Sequence, residues 1–215
     1  MKKILIIVAA LAIIVPMTAN ADGPSYNDLY AGYSKSSINE LSGGKGYTFG
    51  GSYEFYPNWF FATDYAHNSY NGGYQTGGFF TASYTLTFGA HLPISDSMDF
   101  VGTVAYANDH WKQGPTEGLF PGFTVATSDT ASGYNVTAGV RAMVLDQLEL
   151  NAFIGHNDVG LVSHDHNNSE TTGSLGAVYN FTDQFAIGLN YLRSNQQSAA
   201  DWTLTGRWYF QALSE

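Results

Sequence analysis

"YNFTDQFAIGLNYL", residues 179–192, alternates on both sides of a polar turn. Tyr179 and Phe181 precede the turn Thr182-Asp183-Gln184, and Phe185, Ile187, Leu189 and Tyr191 follow it on one parity. Asn180, Ala186, Gly188 and Asn190 occupy the other parity. Successive strand residues face opposite sides of a sheet, so the stretch reads as a β-hairpin with one apolar face and one small, polar face. A soluble sheet would bury the apolar face, whereas a barrel in a bilayer would turn it outward.

The same alternation recurs along the chain. It predicts ten strands, at 26–36, 46–56, 59–69, 78–91, 98–108, 133–144, 148–158, 171–181, 185–194 and 201–211. Short connections at Pro57-Asn58, 92–97, 145–147 and 182–184 interleave with longer polar ones at 37–45, 70–77, 109–132, 159–170 and 195–200. This rhythm matches a transmembrane barrel, whose periplasmic turns are short and whose extracellular loops are long. An even strand number returns both chain ends to one side.

Charge decides between the two orientations. Charged residues make up 12% of the chain, where about 25% is usual in soluble domains. A polar face meeting bulk water would carry many Lys and Glu. Here it is built from residues such as Thr48, Gly50, Ser52, Thr81, Ser83, Thr85, Asn135, Thr137 and Gly139, as suits the crowded lumen of a narrow barrel.

The apolar face is also ordered along each strand. Trp59, Phe61, Phe100, Phe185, Trp208 and Phe210 lie near the short turns. Tyr47, Tyr65, Tyr106, Tyr134, Tyr191 and Trp202 lie near the long loops, with aliphatic residues between the two groups. Two aromatic girdles flanking an aliphatic belt are what the two interfaces of a bilayer select. A soluble β-sandwich or ligand-binding barrel would account for the amount of apolar residue but for neither the girdles nor the charge deficit.

The first residues stand apart. Lys2 and Lys3, the apolar run from Ile4 to Met17, and Ala19-Asn20-Ala21 have the form of a secretory signal with a small-x-small cleavage site. The run is too short for a membrane helix, which needs about 20 apolar residues. The expected organisation is therefore a cleaved signal peptide at 1–21 and a single barrel at 22–215.

Removal of 21 residues leaves 18 acidic side chains against six basic ones, a formal charge of −12. Such acidity argues against nucleic acid or anionic lipid as a partner. Without cysteine, stability rests on packing and backbone hydrogen bonds rather than disulfides.

"YTFGGSYEFYPNWFFATDY", "VLDQLELNAFIGHNDVG" and "GSLGAVYNFTDQFAIGLNYL" resemble the small bacterial outer-membrane β-barrel proteins, OmpA-like and porin-like. The resemblance runs from about Tyr26 to Phe210. It implies a Gram-negative outer membrane, contact with outer-membrane lipid and lipopolysaccharide, and delivery by the barrel assembly machinery. One departure is the tail Gln211 to Glu215, since such chains usually end on the aromatic that the assembly machinery reads.

Few ionisable groups share the lumen parity: Asp28, Glu54, Asp64, Asp99, Arg141, Glu149 and Arg207. Most lie close to the short turns, so they should converge in the periplasmic half. Buried charges are normally paired, which predicts an internal salt-bridge plug. The sharper alternative is a narrow pore gated by exchange of carboxylate partners between Arg141 and Arg207.

Other clusters carry weaker signals. His164, Asp165 and His166, with His156 and Asp158 below them, are the densest set of metal-ligand types. Their spacing matches no strong metal template and reads as solvated loop histidines. Asp109-His110 opposite Asp165-His166 faintly echoes an omptin-like surface protease, but the spaced Asp-x-His of such enzymes is absent. No His and Ser pair suits a lipid A esterase. Walker, nucleophile-elbow and zinc-protease motifs are also missing.

Segment 109–132 carries Trp111, Leu119, Phe120 and Phe123 above the membrane, where Trp111, Phe120 and Phe123 could form a contact surface or a lid.

The sequence thus predicts an all-β, ten-stranded antiparallel up-and-down transmembrane barrel. Its expected role is non-enzymatic, a structural or surface protein with loops available for adhesion or contact with an unassigned ligand, needing no cofactor. A narrow gated pore for small solutes is the alternative, and a barrel enzyme a more distant one.

Overall fold

The computed structural model describes residues 23–38, 41–71, 78–117, 124–159, 169–195 and 200–210. The 1–21 segment, Phe120, Phe123, His164, Asp165, His166 and the tail after Phe210 lie outside the described residues. The described strands are β1 (Asp28–Ile38), β2 (Leu41–Tyr56), β3 (Trp59–Asn71), β4 (Phe79–Ser95), β5 (Met98–Glu117), β6 (Thr124–Leu145), β7 (Leu148–Val159), β8 (Ser169–Asn180), β9 (Phe185–Ser194) and β10 (Ala200–Tyr209). Each pairs antiparallel with its neighbours in the chain, and β1 pairs with β10, which closes the barrel. Closure leaves no edge strand whose amides and carbonyls would face lipid unpaired.

The side chains follow the parity of the sequence. Leu29, Phe49, Leu86, Val104, Leu189 and Leu204 point outward and are roughly half exposed, because bilayer rather than protein covers their outer surface. Aromatic residues pair across strands at both ends of this belt. At the inner rim Phe55 lies 4.7 Å from Phe61 and Trp59 5.2 Å from Phe88, measured between ring centres. At the outer rim Tyr47 lies 6.2 Å from Tyr65 and Tyr191 4.6 Å from Trp202. What is buried lies inside the barrel, with Tyr26, Phe60 and Val101 forming an apolar cluster.

Turn chemistry explains the inner ends. Asn58 holds a positive φ of 70°, which Asn tolerates better than most residues, and it follows Pro57, whose ring presets the preceding bend. The Asn58 carbonyl then accepts a hydrogen bond from the His91 amide at 3.0 Å, tying this turn to β4. In the hairpin at 179–192, the Phe185 amide donates to Thr182 Oγ1 at 3.0 Å and fixes the polar turn.

Several connections are shorter than the sequence suggests. β1 ends at Ile38 and β2 begins at Leu41, so 37–45 is a close hairpin rather than a long loop. β4 runs to Ser95, which trims the 92–97 connection to Asp96 and Ser97.

Segment 109–132 departs furthest from the loop its sequence predicts. β5 and β6 have 20 and 22 residues, against 10 each in β9 and β10. A membrane crossing needs about 9–11 residues. The surplus continues as a paired hairpin beyond the bilayer, with Trp111 opposite Asp129 and Glu117 opposite Thr124.

Candidate functional site in the barrel lumen

Alternation turns Asp28, Glu54, Asp64, Asp99, Arg141, Glu149 and Arg207 into the lumen. Register then decides which of them meet. Arg141 on β6 lies two residues out of register with Glu149 on β7, which faces Met143. Its Nε and Nη2 donate to Glu149 Oε1 and Oε2, both at 2.8 Å. This two-pronged geometry is the strong form of an Arg–carboxylate contact. Asn151, two residues along β7, faces the same carboxylate with its Nδ2 at 3.5 Å.

Across the barrel, Arg207 Nη1 donates to Asp28 Oδ2 at 2.8 Å, and Ser52 Oγ donates to Asp28 Oδ1 at 2.7 Å. The two arginines therefore hold separate carboxylates. Asp64 has no cation on its oxygens and instead accepts from Tyr30 Oη at 2.5 Å and Thr48 Oγ1 at 3.0 Å.

Glu54 and Asp99 meet through a residue the sequence did not single out. His91 on β4 presents Nε2 to Glu54 Oε1 at 3.2 Å and Nδ1 to Asp99 Oδ2 at 3.0 Å, the second contact lying off the line of a hydrogen bond. The Tyr26 ring stacks on the imidazole at 3.9 Å, and its hydroxyl donates to Asp99 at 2.9 Å. On its other side the Arg141 guanidinium carbon lies 4.5 Å from the Tyr26 ring centre. A cation this close to an aromatic face is attracted by the ring quadrupole.

Tyr26 belongs to the segment ahead of β1, which enters the barrel from its periplasmic end. Its carbonyl lies 2.8 Å from Ser52 Oγ, whose single proton it shares with Asp28, and Asn27 Oδ1 accepts the Glu54 amide at 2.9 Å. Only 3% of Tyr26 remains exposed. Both missed residues carried a legible sign, because Tyr26 and His91 share the parity of their strands' small, polar positions rather than that of the outward aromatics.

Open space lies on either side of this layer. Above it is a cavity of about 370 Å³ lined by Phe60, Val101, Phe153, Ser174 and Asn190. Below it a recess of about 860 Å³ opens between Ser25, Asp146, Phe181 and Tyr209. Glu149 borders both spaces.

The extracellular candidates separate. Asp109 and His110 are adjacent on β5 and so face opposite sides: Asp109 points into the lumen, whereas His110 bonds Thr130 Oγ1 on the outside at 2.8 Å. Trp111 is part of a strand rather than a loop, and its ring turns inward to within 6.1 Å of Phe79. His156 faces outward beside Tyr134. Among the described residues, no three His, Asp or Glu side chains are arranged to hold a metal ion.

A family model described as "Outer membrane protein beta-barrel domain" matches residues 5–207. No curated protein sequence matches the chain. Among solved structures, the NanC porin is 11% identical with a TM-score of 0.50, covering 85% of this chain and 100% of its own. The translocator domain of autotransporter NalP from Neisseria meningitidis is 10% identical with a TM-score of 0.50, covering 94% of this chain and 93% of its own. The β domain of the Bordetella autotransporter BrkA is also 10% identical with a TM-score of 0.50, covering 86% and 99%. At these identities the likeness is one of fold alone.

Proposed function

Because the chain belongs to the outer membrane protein β-barrel domain family and resides in the bacterial outer membrane, we propose that it is a closed, non-enzymatic barrel acting at the cell surface. In this role it supports the membrane and presents its extended hairpin above it. The observation that carries the proposal is the layer at the periplasmic half of the lumen. There the Arg141–Glu149 pair and the Glu54–His91–Asp99 set flank Tyr26, and the Arg207–Asp28 pair stands beside Tyr30. An ion crossing this layer would have to displace the Tyr26 ring, which its contacts with Arg141, His91 and Asp99 hold in place, and breaking a buried pair such as Arg141–Glu149 costs about 3–5 kcal/mol. Barrels with open aqueous channels use about 16–18 strands, whereas a lumen near eight strands is filled by side chains.

The division of Asp109 and His110 between two faces of one strand supports the non-enzymatic part. A general base needs its partner within hydrogen-bond reach, and a strand wall now separates these two.

Two measurements test the proposal. Liposomes carrying the purified protein should swell in a pentose gradient no faster than protein-free liposomes. Replacing 112–127 with a short turn should reduce attachment of expressing cells to host or abiotic surfaces while the barrel still inserts. Swelling by the wild type would contradict the closed lumen, and unchanged attachment would contradict the surface role.

The spaces above and below the layer favour one second reading, a narrow pore for small solutes with Tyr26 as its gate. Tyr26 lines the upper space and Glu149 borders both, so withdrawal of that ring would widen the upper space toward the lower one.

A further inference from the structure

We infer that the outer surface of β9, β10, β1 and β2 carries a binding site for a phosphorylated lipid headgroup of the outer leaflet. The site is built from Lys35, Lys45 and Arg193. The chain as a whole is strongly acidic, so the inference rests on where its few cations stand. Beyond the first 21 residues there are six Lys and Arg. Arg141 and Arg207 are inside the barrel, and the other four, Lys35, Lys45, Lys112 and Arg193, are exposed toward the extracellular end.

Three of those four share one patch at one depth. Lys35 follows the outer-girdle Tyr33 by two residues, Lys45 precedes Tyr47 by two, and Arg193 follows Tyr191 by two. Two residues along a strand keep the same face and advance about 7 Å. Each cation therefore stands just beyond the aromatic interface, at headgroup depth. Register places Lys45 opposite Lys35, Lys35 opposite Trp202, and Trp202 opposite Tyr191, with Arg193 opposite Ala200 in the next row. Adjacent strands are about 4.8 Å apart, so the three charges span roughly three interstrand spacings.

The fold gains nothing from this arrangement. Like charges directly opposite on paired strands destabilise the sheet, and Lys35 and Lys45 are such a pair. Among the described residues no carboxylate pairs with Lys35, Lys45 or Arg193. The described outward positions above the girdle on these strands are Ser37, Gly43, Asn195 and Ala200. The nearby acids Glu170 and Asp201 share the lumen parity, with the strand wall between them and the patch. At the opposite rim, three of the four short turns carry Asp96, Asp146 and Asp183 and no cation. The excess positive charge thus belongs to the outer leaflet's side alone.

A phosphate group is the complement that this chemistry selects. The Arg193 guanidinium can engage two phosphate oxygens at once, and the lysines supply point charges beside it. The Tyr191 and Trp202 rings, packed against each other at a tilt of 41°, offer an apolar shoulder for the first methylenes of an acyl chain.

The test uses full-length protein purified from outer membranes, titrated in detergent with diphosphoryl lipid A and, separately, with the same lipid lacking its phosphates. Bound lipid is counted by native mass spectrometry. The wild type should prefer the phosphorylated form. Lys35→Gln, Lys45→Gln and Arg193→Gln should each weaken it about five-fold, and the triple variant about 100-fold. Lys112→Gln, on the far side of the barrel, should leave it unchanged. Gel mobility with and without heating establishes that each variant is folded. If the triple variant does not fold, the three single substitutions carry the test. Equal binding of the dephosphorylated lipid, full binding by the substituted protein, an equal loss in Lys112→Gln, or displacement by inorganic phosphate alone would overturn the site.

Discussion

The guanidinium of Arg141 lies 4.5 Å from the centre of the Tyr26 ring while both of its donating nitrogens engage Glu149. One cation therefore serves two partners, a strand neighbour and a ring delivered by the segment ahead of β1. That double engagement joins the charge layer to the segment ahead of β1, so that neither is free to move without the other.

Tyr26→Ala should open the lumen. The substitution removes the ring between Arg141 and His91 but leaves every ion pair of the layer in place. Planar bilayers should then show discrete openings, whereas Tyr26→Phe, which keeps the ring and loses only the 2.9 Å bond to Asp99, should remain closed. A folded Tyr26→Ala protein with no openings would show that the ring is not what seals the barrel.

Glu149→Gln should destabilise the barrel by about 3–5 kcal/mol, because it leaves the buried Arg141 charge without its partner. Arg141→Met combined with Glu149→Leu should cost less than Glu149→Gln alone, since the double change leaves no orphaned charge. Urea unfolding from lipid vesicles, followed by tryptophan fluorescence, measures both. A double variant weaker than the single one would contradict this account of the layer.

Lipid exposure has a depth-dependent signature. Leu189, in the aliphatic belt between Phe185 and Tyr191 on the outer face, should resist replacement by Arg at a cost of about 2–4 kcal/mol. Phe185→Arg, at the rim, should cost about 0–1 kcal/mol from its charge. Equal costs at the two positions, measured by the same unfolding assay, would contradict the placement of the bilayer around the belt.

The Pro57-Asn58 turn gives a local test. Asn58 sits at a φ of 70°, where a β-branched side chain is strained by about 1–2 kcal/mol. Asn58→Val should lower stability by that amount, while Asn58→Gly should be nearly neutral. A neutral Asn58→Val would mean that the turn relaxes out of this conformation.

Alternation at 179–192 and in the other eight strands made the strands, their order and the outward face legible, because the lipid selects apolar side chains on every second residue. The same cause explains where legibility ended. Beyond the bilayer nothing selects apolar residues, so Asp109 to Glu117 and Thr124 to Ser132 lost their alternation and read as loop although their backbones are paired. Parity also named the lumen charges without naming their partners. Arg141 meeting Glu149 is a matter of adjacent strands, but Tyr30 reaching Asp64 on β3 and His91 reaching Asp99 depend on side-chain length and barrel width. Tyr26 carried the lumen parity of Asp28 and Tyr30, but parity alone did not show that the segment ahead of β1 packs its ring against His91 and Arg141.

Single-channel recording from the wild-type protein in planar bilayers tests the central claim most directly. The account predicts a silent membrane across the full voltage range, with insertion verified independently by heat-modifiable mobility of the recovered protein. A reproducible open level from the unaltered barrel would contradict it and make the chain a pore.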